Sequence, residues 1–302
     1  MNIKKGIITI AIGKKYADNA KYLALSAMLH APHLHRAVIT DCPKIVEPYY
    51  DFVIPFDGAA ENPFAIKTRV YHCTPFEQTL YLDVDSLIMQ NIDSCWDAFA
   101  ERHFIYRGFL RTEGEWYFDR AEVIKALGIE WLPAFNSGMF LFDKSAQART
   151  VFDTAFDYMT NHSELGVDFF RGKNLPDEPY FAIAFAKHNI LPYEEECERF
   201  SRGLSDVRYL NLNVVKGVSH IQAKSGKYAF PLIVHFFGRF GAHFYRRETR
   251  RLAHFFNPPL ASLRNVFLTR ARDLLKKSPS PSPSPSLRAL SAESRLRGQA
   301  AE

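Results

Sequence analysis

The strongest chemical signal in the chain is a pair of carboxylates one residue apart at the end of an apolar run, Leu80-Tyr81-Leu82-Asp83-Val84-Asp85-Ser86. In extended backbone, residues i and i+2 point the same way, so Asp83 and Asp85 are expected to converge on one cation or one phosphate-bound metal. An acidic turn after a strand gives the same pattern, and other segments must decide between the two. Val234-His235-Phe236-Phe237-Gly238 offers an imidazole at the end of a second apolar strand. Added to two carboxylates it makes a mixed set suited to Mn²⁺ or Mg²⁺, although a lone strand-end histidine is more often hydrogen-bonded in a core. Phe135-Asn136-Ser137-Gly138 opens another apolar strand, and Asp177-Glu178-Pro179 opens a helix. Ordinary turn chemistry and helix N-terminal charge also explain those two segments.

The elements that must position these groups alternate. Lys5 to Gly13 reads as a buried, parallel strand, and Tyr16 to Leu29 as a helix with Ala20, Leu23, Ala24, Ala27 and Met28 on one stripe. Short strands are expected at 37–40, 52–55 and 79–83, with a helix around 65–73 between the last two. Further on come helices at 93–101, 145–161 and after Pro179, and strands near 104–106, 138–142, 207–210 and 232–236. This is the pattern of an open α/β sheet, whose ligands bind at the carboxyl ends of the strands, where Asp83 falls.

An Asp-x-Asp after an apolar strand occurs in haloacid-dehalogenase-like phosphotransferases, with the first Asp as nucleophile. There the motif usually sits on the first strand of the chain, whereas here at least one strand–helix unit precedes Asp83. That position resembles the nucleotide-diphospho-sugar transferases of the GT-A fold. Within them, the four motifs come in the order of the family 8 type of retaining glycosyltransferases, the glycogenin and lipopolysaccharide galactosyltransferase type. The resemblance spans residues 80–238 and implies a Rossmann-like open mixed sheet. It also implies transfer of a hexosyl group from a UDP-sugar to an acceptor hydroxyl of a glycan, glycolipid or protein.

By the same resemblance Asp83, Asp85 and His235 hold Mn²⁺ or Mg²⁺ on the diphosphate. Asp177 and Glu178 lie beneath the donor sugar, and Asn136, Ser137, Gly138 and Gly238 approach the ligand. Glu178 stands where many relatives have Gln, and a carboxylate there is compatible with retaining chemistry. The chain departs from the family after His235, where the usual Lys-Pro-Trp is missing and Gly238-Arg239-Phe240-Gly241 follows. Arg239, Lys67 and Arg69 are the candidates to meet the diphosphate in place of the absent lysine, with the two on the helix also readable as a solvated face. Tyr16 is placed to stack on the nucleobase or simply to pack. Besides the phosphotransferase, a non-catalytic sugar-nucleotide-binding protein of the same fold stays open.

Composition sets the outer limits. With 302 residues, 47% hydrophobic and 14% aromatic, the chain can bury a large core, and disorder throughout is excluded. Its four cysteines form no Cys-x-x-Cys pair, so neither a zinc knuckle nor a disulfide framework is indicated. No apolar run reaches the roughly 18 residues of a membrane span, and the seven apolar or small residues Gly6–Ile12 are too few for a signal peptide. A cytoplasmic location is expected.

Net charge is +5, but nine Lys/Arg against Glu248 and Asp273 crowd into residues 246–277. A slightly acidic body with a basic arm argues against a broad nucleic-acid face and for a local anionic contact near the C-terminus, either peripheral contact with an anionic membrane or a helix that packs its apolar face on the catalytic domain and leaves its arginines in water. The expected organisation is therefore a GT-A domain at 1–240, a basic amphipathic helical arm at 241–277 and a disordered Ser-Pro tail at 278–302.

Overall fold

The computed structural model describes residues 3–57, 64–100, 102–170, 172, 174–193 and 197–256. Contacts separate a compact unit, Ile3–Phe255, from a second made of Met1–Asn2 and Phe256–Glu302, and the description below concerns the first.

Strand β1 (Ile3–Ala11) leads into α1 (Lys14–His30), then β2 (His35–Thr40), the single turn α2 (Pro43–Val46) and β3 (Phe52–Pro55). A 3₁₀ turn, Lys67–Arg69, runs into α3 (Val70–Cys73) and β4 (Phe76–Leu82), followed by β5 (Ser86–Ile88), a 3₁₀ segment Asp93–Ala100 and β6 (Phe104–Arg111). Next come α4 (Arg120–Leu127), β7 (Leu132–Asp143), α5 (Ala146–Asn161), α6 (Glu178–Lys187), α7 (Cys197–Phe200) and β8 (Ser201–Gly203). The chain closes with the meander β9 (Val207–Asn213), β10 (Val218–Ala223) and β11 (Tyr228–Ala229), then β12 (Ile233–His235) and α8 (Gly238–Phe255).

The main sheet has the order β3-β2-β1-β4-β7-β6, with the first four strands parallel and β7 antiparallel to both its neighbours. Its two faces are filled differently. Leu80 and Leu82 of β4 share a cluster with Ile7, Leu23 and Ala27, so the small-residue stripe of α1 packs closely on one side. Tyr81 points the other way and stacks on Phe140 at 4.7 Å, the edge of a phenylalanine core drawn from β6, β7, α5 and α6. Gly6 is required here, because a Cβ on it would lie 2.5 Å from the Phe76 ring.

Three expectations about elements change. Of the segment at 93–101, Asp93–Ala100 is 3₁₀ rather than α, and residue 101 lies outside the described residues. The helix around 65–73 is a 3₁₀ turn followed by one α turn. The boundary at 240 falls inside α8, which buries Tyr245, Glu248 and Leu252 within the first unit. The remainder of the proposed arm and the Ser-Pro tail lie outside the described residues.

Candidate functional site

Consecutive strands β1 and β2 lie to one side of the sheet centre and β4 to the other, so the order reverses between β1 and β4, the switch point where open α/β sheets bind ligands. Asp83 follows β4 directly. Its backbone N–H donates to the Gly138 carbonyl (2.9 Å), extending the β4–β7 ladder by one bond and setting the acidic pair beside Asn136-Ser137-Gly138.

Contrary to expectation, the two carboxylates do not converge through extended backbone. Residues 83–85 form a turn in which the Ser86 N–H donates to the Asp83 carbonyl at 3.0 Å, and the turn brings both side chains to one side. A second small sheet, β5-β12-β8, supplies the histidine. His235 pairs with Ser86 across β12 and β5, and the Phe236 N–H donates to the Asp85 carbonyl at 2.9 Å. One ligand atom each from Asp83, Asp85 and His235 lies within 4.8 Å of the other two.

The imidazole is oriented by Asn136. Asn136 Oδ1 accepts from the Gly138 N–H (3.1 Å) and from His235 Nδ1 (2.9 Å), while its Nδ2 donates to Glu178 Oε1 (2.9 Å). Nε2 is left facing Asp85 Oδ1 at 3.0 Å and Asp83 Oδ2 at 3.7 Å. A histidine whose far nitrogen donates to an amide oxygen presents its other lone pair to a cation. Burial opposes charge on both partners, but the His235–Asp85 hydrogen bond outweighs it, so the Asp85 carboxyl lies below its ordinary pKa and the imidazole above. Gly138 makes room for the histidine, because a Cβ there would stand 2.2 Å from His235 Cε1.

Lys67 is not a solvated helix charge. Its ammonium is buried between Asp83 Oδ1 (3.1 Å) and Asp177 Oδ2 (3.2 Å) and donates to Ser137 Oγ (2.9 Å). Burial pulls its pKa down, yet the charges of Asp177 and Asp83 prevail and raise it. Asp177 precedes α6 without capping it through its side chain, so its carboxylate serves Lys67 and not the helix. Glu178 accepts from the Ser137 N–H (3.1 Å) as well as from Asn136, and burial together with the Asp177 charge pushes its carboxyl up to about 7. Tyr81, which no motif singles out, donates its hydroxyl to Asp83 Oδ1 at 2.6 Å.

The Arg69 guanidinium is buried over the Phe156 ring of α5 (4.5 Å). Tyr16 is exposed at the start of α1 with the Lys15 ammonium 5.4 Å from its ring. Gly238 has φ +75°, which explains the glycine at the turn into α8, and Arg239 is exposed on that helix's first turn.

Four carboxylates therefore face one lysine and one histidine. That excess of negative charge and the mixed oxygen–nitrogen donor set fit a divalent cation of the Mn²⁺ or Mg²⁺ kind.

A mixed sheet of this order with an acidic site at its switch point is the GT-A fold. No protein-family model matches the chain, and no curated protein matches its sequence. Among solved structures it is similar to the galactosyltransferase LgtC in complex with donor and acceptor sugar analogues, with TM-score 0.55 and 14% identity over 82% of this chain and 95% of that one. An active-site glutamine-to-glutamate mutant of LgtC matches equally, at TM-score 0.55. The bifunctional glycosyltransferase WbbM matches with TM-score 0.53 and 9% identity, over 88% of this chain and 52% of that one. At these identities the likeness is one of fold, and it is the fold that the sequence motifs imply.

Proposed function

We propose that the protein is a metal-dependent, retaining glycosyltransferase that moves a hexosyl group from a UDP-sugar to an acceptor hydroxyl. The observation that carries this reading is the convergence of Asp83, Asp85 and His235 beside Lys67, Asp177 and Glu178 at the switch point of a GT-A sheet. A divalent cation held by Asp83, Asp85 and His235 would supply Lewis acidity toward the diphosphate. In the overall reaction the bond from the anomeric carbon to the phosphate oxygen breaks and a bond to the acceptor oxygen forms. The acceptor proton is lost and UDP departs.

The chain's own residues have separable tasks. Asn136 fixes the His235 ring and, through Nδ2, the Glu178 carboxylate, so one amide couples the cation ligands to the sugar side of the site. Lys67 joins Asp83 and Asp177, its ammonium lying 3.1 Å from the first carboxylate and 3.2 Å from the second. Glu178, held by two N–H donors, is placed to stabilise positive charge developing on the donor sugar. The phosphotransferase reading needs a different fold from the one found.

Release of UDP from a panel of UDP-sugars, with Mn²⁺ or with EDTA, tests the proposal. Turnover that depends on the metal supports it. Absence of both UDP release and UDP binding across the panel overturns it.

A further inference from the structure

The Asp83 carboxylate uses its two oxygens differently. Oδ1 accepts from the Tyr81 hydroxyl at 2.6 Å and lies 3.1 Å from the Lys67 ammonium, whereas Oδ2 is the oxygen turned to His235 Nε2, at 3.7 Å. An ionised carboxylate oxygen has two lone pairs, so two donors on Oδ1 leave Oδ2 as the one a cation can take.

Of the two donors, Tyr81 is the fixed one. Its residue is paired with Ile8 of β1 on one side and Phe140 of β7 on the other, its ring stacks on Phe140 at 4.7 Å, and it is only 2% exposed. In so closely packed a setting the hydroxyl cannot leave Asp83 without disturbing the core. Lys67 divides its ammonium among Asp83, Asp177 and Ser137 Oγ, and its flexible stem can follow any of them.

The number of oxygens a carboxylate offers separates cations. Ca²⁺ takes roughly six to eight oxygens and gains from a carboxylate that turns both toward it, whereas Mg²⁺ and Mn²⁺ favour an octahedral set in which one oxygen suffices. His235 already disfavours Ca²⁺ by offering nitrogen to an ion that prefers oxygen. Resting on the cation reading above, we propose that Tyr81 is a positioning residue that reserves Oδ1, so that Asp83 meets the metal through Oδ2 alone and the site discriminates further against Ca²⁺.

The test uses the full chain without donor. Mn²⁺ affinity is read from the loss of the free-ion EPR signal, and Ca²⁺ affinity from its competition with Mn²⁺. Tyr81→Phe keeps the ring and its stack and removes only the hydroxyl. We expect the Mn²⁺ over Ca²⁺ affinity ratio to fall at least about tenfold, the lower end of what the outer partners of metal ligands contribute, because a freed Oδ1 lets Asp83 close on the larger ion with both oxygens. A general loosening of the fold would weaken both ions and leave the ratio where it was. That result, like an unchanged pair of affinities, overturns the inference.

Asp83→Asn reads the same feature with Tyr81 in place, should the phenylalanine variant not fold. Its single carbonyl oxygen is drawn to the two donors and its Nδ2 is turned to the cation, so Mn²⁺ binding should fall as low as in Asp83→Ala. Asparagine binding Mn²⁺ at least about tenfold better than alanine would show the oxygen free to face the ion, and would overturn the reservation of Oδ1. Neither measurement passes through turnover, so failure of every UDP-sugar to release UDP sinks the transfer reading alone. If the unaltered chain binds no Mn²⁺, the cation reading and this inference fall together.

Discussion

Glu178 is the residue whose charge state changes nearest neutral pH. Its carboxyl, pushed up to about 7 by burial and by Asp177, is mainly ionised above that pH and mainly protonated below it. If the carboxylate stabilises the donor sugar's developing charge, kcat falls as pH drops through about 7, and Glu178→Gln lowers activity and removes that limb from the pH–rate profile. Stability moves in the opposite sense. Between the unfolded carboxyl value of 4.5 and about 7 the folded chain holds a proton that the unfolded chain has lost, so stability declines as pH rises across that window. Denaturant melts should show a decline of about 1–3 kcal/mol, discounted for partial exposure, that is flattened in Glu178→Gln.

Gly138 gives a second prediction at this scale. A methyl group at that position must displace the His235 ring, so Gly138→Ala should weaken Mn²⁺ binding at least tenfold by calorimetry. Asp83, Asp85, Asn136, Glu178 and His235 were legible in the sequence because each sits in a short motif. Lys67 was legible only as a charge on a helix, because nothing local tells a solvated lysine from one buried between two carboxylates.

Among the elements, α8 departs most from what its sequence suggests. Its basic composition reads as an arm, yet Glu248, fully buried, accepts from the Val214 N–H and from Arg247 and Arg251, while both arginines also donate to the Leu212 carbonyl. Those basic residues are thereby occupied with the meander, and Tyr245 ties the helix to the Asp-x-Asp turn through the Val84 carbonyl. Glu248→Ala strands a buried backbone donor and leaves two arginines without their carboxylate, and should cost about 1–3 kcal/mol. Thermal melting should read this as a fall of several degrees, at about 2–4 °C per kcal/mol for a domain of this size class. The strands of the main sheet were legible as apolar runs, β-branched in β1 and aromatic in β7. β5, β8 and β11 were not, being two or three residues long and stable only as partners in small sheets, and neither was β10, whose run Val218–Ala223 is interrupted by Ser219, His220 and Gln222.

For the molecule as a whole, the topology followed from strand–helix alternation plus motif order, but the antiparallel β7 did not, because an apolar run does not disclose its direction. Ligand linkage tests the fold and the site together. Mn²⁺ and UDP at about 100 times their dissociation constants should each stabilise the chain by up to about 2.7 kcal/mol if they bind only the folded state. On the proposed reading the two ligands together raise Tm by more than the sum of the separate shifts, because one cation bridges protein and diphosphate. EDTA, or Asp85→Asn, should erase the excess. Simple additivity of the two shifts would separate the cation site from the nucleotide site.

The placement of β12 has a bearing on how the protein is made. All six strands of the main sheet lie within residues 3–143, so that layer can assemble while the ribosome is still extending the chain. The imidazole arrives only at residue 235, on a strand that must slot between β5 and β8, two partners already in place. A nascent or prematurely ended chain can thus own a native-like sheet and still lack the third ligand. On the proposed reading, a chain stopped before residue 235 lacks the histidine of the cation centre and so has no competent site with which to squander donor.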